Sequence, residues 1–67
     1  MNETESIKIC GLNIDIIVLP AFDGETVQAK IRELGLVINE NGKNYTEARA
    51  KAIAHVRDRL RKLGYNS

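Results

Sequence analysis

Residues 45–63 read YTEARAKAIAHVRDRLRKL, and their apolar spacing is that of one amphipathic helix. With about 100° of turn per residue, Ile53, Val56, Leu60 and Leu63 fall in one stripe, with Ala52 at its edge. Alternating steps of three and four residues are the period of a helix that packs one face on a core. Ala48, Ala50, Ala52 and Ala54 raise helix propensity at little entropic cost. Glu47 with Lys51, and Asp58 with Lys62, are acid-first pairs one turn apart. Asn44 or Thr46 can cap the first turn, and Asn44 with Glu47 has capping-box spacing. Gly64 marks the stop, with Tyr65 expected to fold back on Leu60 in a Schellman cap. Arg49 falls inside the stripe, so its stem should pack while its head reaches water.

Upstream of this helix, Leu36–Glu40 runs into Asn41-Gly42, a strong hairpin signal. The expected register sets Glu40 opposite Lys43 and Ile38 opposite Tyr45, with a return arm so short that it can be a turn alone. Further back, Asp23 is expected to cap a short helix from about Gly24 to Leu34, with Val27, Ile31 and Leu34 inward. Gly35 would end it, with Leu36 touching Ile31 across the cap. The first third of the chain reads as a hairpin with Gly11-Leu12 as a type II′ turn. That register faces Cys10 with Asn13, Ile9 with Ile14, Lys8 with Asp15 and Ile7 with Ile16. Four isoleucines then share one face, and an opposite-charge pair lies on the other. Strand two continues through Ile16–Leu19, apolar on both faces, and Pro20 ends it.

The expected fold is therefore α+β: β-hairpin, helix, β-hairpin, helix, with an antiparallel sheet and both helices on one face. Residues 1–5 read as a disordered start and 6–67 as a single domain. The expected core is Ile7, Ile9, Ile14, Ile16, Val18, Val27, Ile31, Leu34, Ile38, Ile53, Val56, Leu60 and Leu63. A 67-residue chain buries only about 60% of its unfolded surface, so its stability margin is thin.

Several function classes are disfavoured by composition. One cysteine, Cys10, forms no internal disulfide. The polar stretch Met1–Ser6 lacks a basic start followed by an apolar run, and no apolar run nears the ~20 residues of a membrane span. A cytoplasmic chain with no membrane partner is expected. One Cys and one His make no usual zinc site within a monomer, and no Gly-Lys-Ser/Thr phosphate loop is present. His55 projects away from the helix stripe and reads as an ordinary surface residue; Cys10 reads as a half-buried, inert thiol. No acid–base pair is forced together by spacing. The chain is expected to be no enzyme, with neither cofactor nor metal.

Charge is what remains. The net charge is +1, but it is uneven. Residues 1–42 hold three cations against seven carboxylates, a net of −4; residues 43–67 hold seven against two, a net of +5. Lys43, Arg49, Lys51, Arg57, Arg59, Arg61 and Lys62 are the candidate nucleic-acid-binding residues. Their expected partner is the phosphate backbone of DNA or RNA, bound by a salt-dependent, sequence-independent attraction. With Phe22, Tyr45 and Tyr65 as the only aromatics, a single-strand stacking platform is disfavoured. A solvated face kept for solubility would use the same cations. The rival reading is a protein-interaction module, as a homodimer or an inhibitor or adaptor of a larger protein. Ile17 and Leu19 on the outer face of strand two would form the dry centre of its interface.

Overall fold

A computed structural model describes residues 4–20 and 23–65 of the chain. Four strands and one helix follow in order: β1 (Thr4–Ile9), β2 (Leu12–Pro20), β3 (Glu25–Ile31), β4 (Leu36–Gly42) and α1 (Tyr45–Lys62). The strands form one antiparallel meander in sequence order, so β1 and β4 are its edges. The helix lies on one face, over β4 and β3. The α+β class holds, but the order is ββββα rather than ββαββα.

The expected helix at 24–34 is a strand. Glu25–Ile31 alternates polar and apolar, and Val27, Ala29 and Ile31 all point to the helix side, fully buried. Period 2 wins over the helical spacing of Val27, Ile31 and Leu34 because β2 needs a second neighbour along its whole length. β3 supplies it, pairing from Ile14↔Ile31 to Pro20↔Glu25. Gly35 does have positive φ, but in the loop from Arg32 to Gly35 that joins β3 to β4. Leu36 meets Ile31 as its cross-strand partner.

The first hairpin turns one residue earlier than expected. Cys10 and Gly11 form its two-residue loop, with φ of 54° and 78°. Two successive positive φ values define a type I′ turn, whose twist suits a right-twisted ribbon. Lys8 therefore faces Asn13, Ser6 faces Asp15, and Ile7 faces Ile14. Moving the turn by one residue shifts one strand against the other by two, an even count, so the isoleucines keep their shared face. Thr4 and Glu5, assigned to a loose start by the sequence, are already in β1.

The Asn41-Gly42 signal makes no hairpin. Glu40 pairs with Val27 and Ile38 with Ala29, not with Lys43 and Tyr45. Gly42 has a packing role instead: a Cβ there would stand 2.5 Å from the Ala48 nitrogen. The chain then enters α1 at once, with Asn44 Oδ1 accepting from the Glu47 N–H at 2.9 Å. The helix closes as the Schellman cap expected, with Tyr65 N–H donating to Leu60 O (2.8 Å) and Gly64 N–H to Arg61 O (3.0 Å).

The buried helix stripe is Ala48, Ala52, Val56 and Leu60, rotated from the expected one. Ile53 is half-buried at its flank. Leu63, expected in the core, is 52% exposed at the C-cap, while Tyr65, turned back by the cap, packs on the core. Facing the stripe are Ile9, Ile14, Ile16, Val27, Ala29, Ile31 and Ile38. Ile7 and Leu34 are partly buried against this cluster. No described helix is long and apolar enough to cross a membrane.

Gly42→Ala should cost roughly 1–3 kcal/mol, the range for an overpacked contact. Leu60→Ala should cost about 2–5 kcal/mol through cavity formation, and Leu63→Ala under about 0.5 kcal/mol. Urea unfolding monitored by circular dichroism measures all three.

Candidate phosphate-facing site

Alternation along the strands divides the sheet into a covered face and an open one. The helix side carries the isoleucines. The open side carries Lys8, Asn13, Asp15, Ile17, Leu19, Gln28, Lys30 and Asn39, as the pairing register dictates. Ile17 and Leu19 lie there as read from the sequence, each half-buried. Their cross-strand partners are polar: Thr4 and Gln28 for Ile17, Thr26 for Leu19. Val37, 48% exposed, is the third large apolar side chain on that side.

Three of the seven candidate cations are engaged by the protein's own carboxylates. Arg49 forks onto Glu5 of β1 (Nη2–Oε2 2.7 Å, Nε–Oε1 3.0 Å). Arg49 thus lies at the flank of the buried stripe, and its head, expected to reach water, is held by Glu5. Lys51 reaches Glu47 at 3.4 Å and donates to the Asn41 carbonyl of β4 at 3.3 Å. Lys62 reaches Asp58 at 3.2 Å. Tyr45 joins the first cluster, its hydroxyl donating to Glu5 at 3.1 Å beside a cleft of about 480 Å³. The cleft is lined by Thr4, Glu5, Ile16, Val18 and Tyr45.

The other four, Lys43, Arg57, Arg59 and Arg61, have no ion-pair partner among the described residues. They do not converge. Lys43 borders a hollow of about 360 Å³ at the start of the helix, with Asp23, Glu47 and Lys51. The arginines are at the other end, about 20 Å away at ~1.5 Å of rise per residue. Arg57 continues the flank that carries Arg49 toward β1, and Arg61 follows it one turn on. Arg59 continues the flank that carries Lys51 and His55 toward β4.

Further pairs went unread in the sequence. Arg32 forks onto Asp15 (2.6 and 3.2 Å), which also accepts from Ser6 at 2.9 Å. Glu33 receives the backbone and side-chain N–H groups of Asn13 at 2.9 and 2.8 Å. His55 is no bystander: its Nδ1 is 2.7 Å from Glu40. The alternation of Glu25–Ile31 was the available signal for Lys30, Arg32 and these partners.

The carboxylates so engaged are shifted. Arg49 holds Glu5 below the usual glutamate range, with Tyr45 adding to the effect. Arg32, then Ser6, hold Asp15 low. The Asn13 backbone N–H holds Glu33 low. Desolvation, then Glu5, push the Tyr45 phenol up, and Glu5 raises Arg49. Among the described residues no three His, Cys, Asp or Glu gather to hold a metal ion. Cys10 is free and half-buried in its turn. No protein-family model matches the chain, and no curated protein or solved structure is significantly similar to it.

Glu5, Asp15 and Glu33 bind protons less readily folded than unfolded. Their contribution is complete above the ordinary carboxylate range, near pH 4, and is lost as pH falls through the depressed folded values. Thermal melting between pH 7 and pH 3 should show Tm falling below about pH 4. Glu5→Gln should lower Tm at pH 7 and flatten the fall, because the variant has lost the group that titrates.

Proposed function

We propose that this chain is a small, non-enzymatic, cytoplasmic binding protein that docks on nucleic-acid phosphates through the C-terminal end of α1. The observation that carries this reading is the pattern of internal pairing. Six of the eight described carboxylates are already engaged: Glu5, Asp15, Glu33, Glu40, Glu47 and Asp58. Asp23 and Glu25 remain, both at the opposite end of the sheet from the helix C-terminus. Arg57, Arg59 and Arg61 are therefore uncompensated within five residues of helix, about one and a half turns. All three are exposed. Guanidinium groups suit phosphate because their planar fork can donate two hydrogen bonds to it.

Arg49, Lys51 and Lys62 take a lesser part in this reading, and Lys43 is too far away to act with the arginines. Association of two copies through Ile17 and Leu19 is disfavoured by charge. The open face holds Lys8, Lys30 and Arg32 against Asp15, and apposing two such faces would set like charges together.

Each phosphate neutralised by a cation steepens the salt dependence of binding. Affinity for a mixed-sequence duplex, titrated against salt, should fall log-linearly. Arg57→Ala with Arg59→Ala and Arg61→Ala should flatten the slope by about three without changing the circular dichroism spectrum. Absence of binding at low salt, or an unchanged slope in the triple variant, rejects the proposal.

A further inference from the structure

Of the six asparagines in the chain, Asn41 alone precedes a glycine. The order matters chemically. The nitrogen of a glycine has no Cβ beside it to hinder its attack on the carboxamide of the residue before. Asn41 is exposed to water at the end of β4, so the water that such a reaction consumes is at hand.

The fold holds this dipeptide still. An extended strand, with ψ near about +135°, points the Gly42 nitrogen away from the Asn41 carboxamide carbon. Gly42 is wedged on two sides. Its carbonyl oxygen lies against Gly24, where a Cβ would stand, and a Cβ on Gly42 itself would be 2.5 Å from the Ala48 nitrogen. Asn41 is held through both of its carbonyls. The side-chain Oδ1 accepts from the Thr26 hydroxyl at 2.5 Å, and the backbone oxygen accepts from Lys51 at 3.3 Å. Ala48 and Lys51 belong to the first two turns of α1. Lifting the helix start from the end of β4 therefore frees the Gly42 peptide to rotate, a local opening that leaves the rest of the sheet in place.

We propose that Asn41 is a deamidation site gated by the joint between β4 and α1. In the open state the Gly42 nitrogen bonds to the Asn41 side-chain carbon and gives up its proton, and Nδ2 leaves as ammonia. Water then opens the succinimide ring at one carbonyl or the other. The products are aspartate at 41, or isoaspartate, in which the chain runs through the former side chain. Either takes one unit off the net charge of +1. Isoaspartate also adds a methylene to the backbone just before Gly42, which displaces the glycine from its seat between Gly24 and Ala48. The opened joint then cannot close as before. This chemistry is independent of what the helix binds.

The test incubates the intact chain at neutral pH and follows the gain of one mass unit by mass spectrometry, with peptide mapping to place it. Conversion should fall on Asn41 and leave Asn13 and Asn39, which precede Ile14 and Glu40, as amides. In urea it should run at least about tenfold faster than in the native chain. Asn44→Ala removes the helix cap and should speed the native reaction about fivefold. Ile31→Val, of similar cost but at the other end of the sheet, should leave the rate unchanged. Equal conversion of Asn13 or Asn39, or equal rates with and without urea, would overturn the proposal. So would equal acceleration by Ile31→Val and Asn44→Ala, which would make global unfolding the route. The purified isoaspartyl form should unfold at lower urea than the unmodified chain, and an unchanged midpoint would overturn the claim that the joint is lost.

Discussion

The close approach of helix to sheet at Gly42 is the constraint on which this architecture depends. A strand end and a helix start meet there with almost no side chain between them. The buried stripe then widens along the helix, from Ala48 and Ala52 to Val56 and Leu60. Small residues near the joint let the backbone come in, and larger ones fill the space farther on. This gradation fixes the helix over β3 and β4 and determines which of its flanks faces β1. Arg49 meets Glu5, and His55 meets Glu40, because of that placement.

Electrostatics follows from packing. The chain's two halves are opposite in charge, and folding brings part of each against the other. Glu5 with Arg49 and Glu40 with His55 are joins between halves, whereas Arg32 with Asp15 lies within the first. Exposed pairs of this kind contribute little each to stability. Their larger effect is selective: they use up the acids and leave particular cations facing water. A near-neutral protein can thereby leave several cations exposed and unpaired without a high net charge.

The helix, its Asn44 cap and its Gly64 stop were legible because they depend on neighbours within a turn or two. The shared isoleucine face of the first hairpin was legible for the same reason. Its register was not, because Cys10 in a left-handed turn position carries no composition signal. β3 was misread because Val27 and Ile31 satisfy both periods, and Ala29 looks like a helix former. What decides the matter is β2: its apolar run on both faces marks an interior strand, and such a strand needs partners on both sides. That requirement is non-local. Gly42 was misread likewise, since a glycine chosen for close contact looks the same in sequence as one chosen for a turn. Of the candidate cations, the identity was readable and the pairing was not, because each cross-element pair depends on the helix's rotation about its axis.

The two borders of the sheet are unequal. On β4 the helix packs against the strand, and Lys51 donates to the Asn41 carbonyl. Among the described residues β1 has no such cover; Lys8 and the Glu5 tether are what mark it. An antiparallel sheet with a bare margin can, in principle, be lengthened by any extended chain that meets it. Lys8 sets a charge on that margin, and charged side chains on an edge strand are of the kind that discourages one sheet from pairing with another.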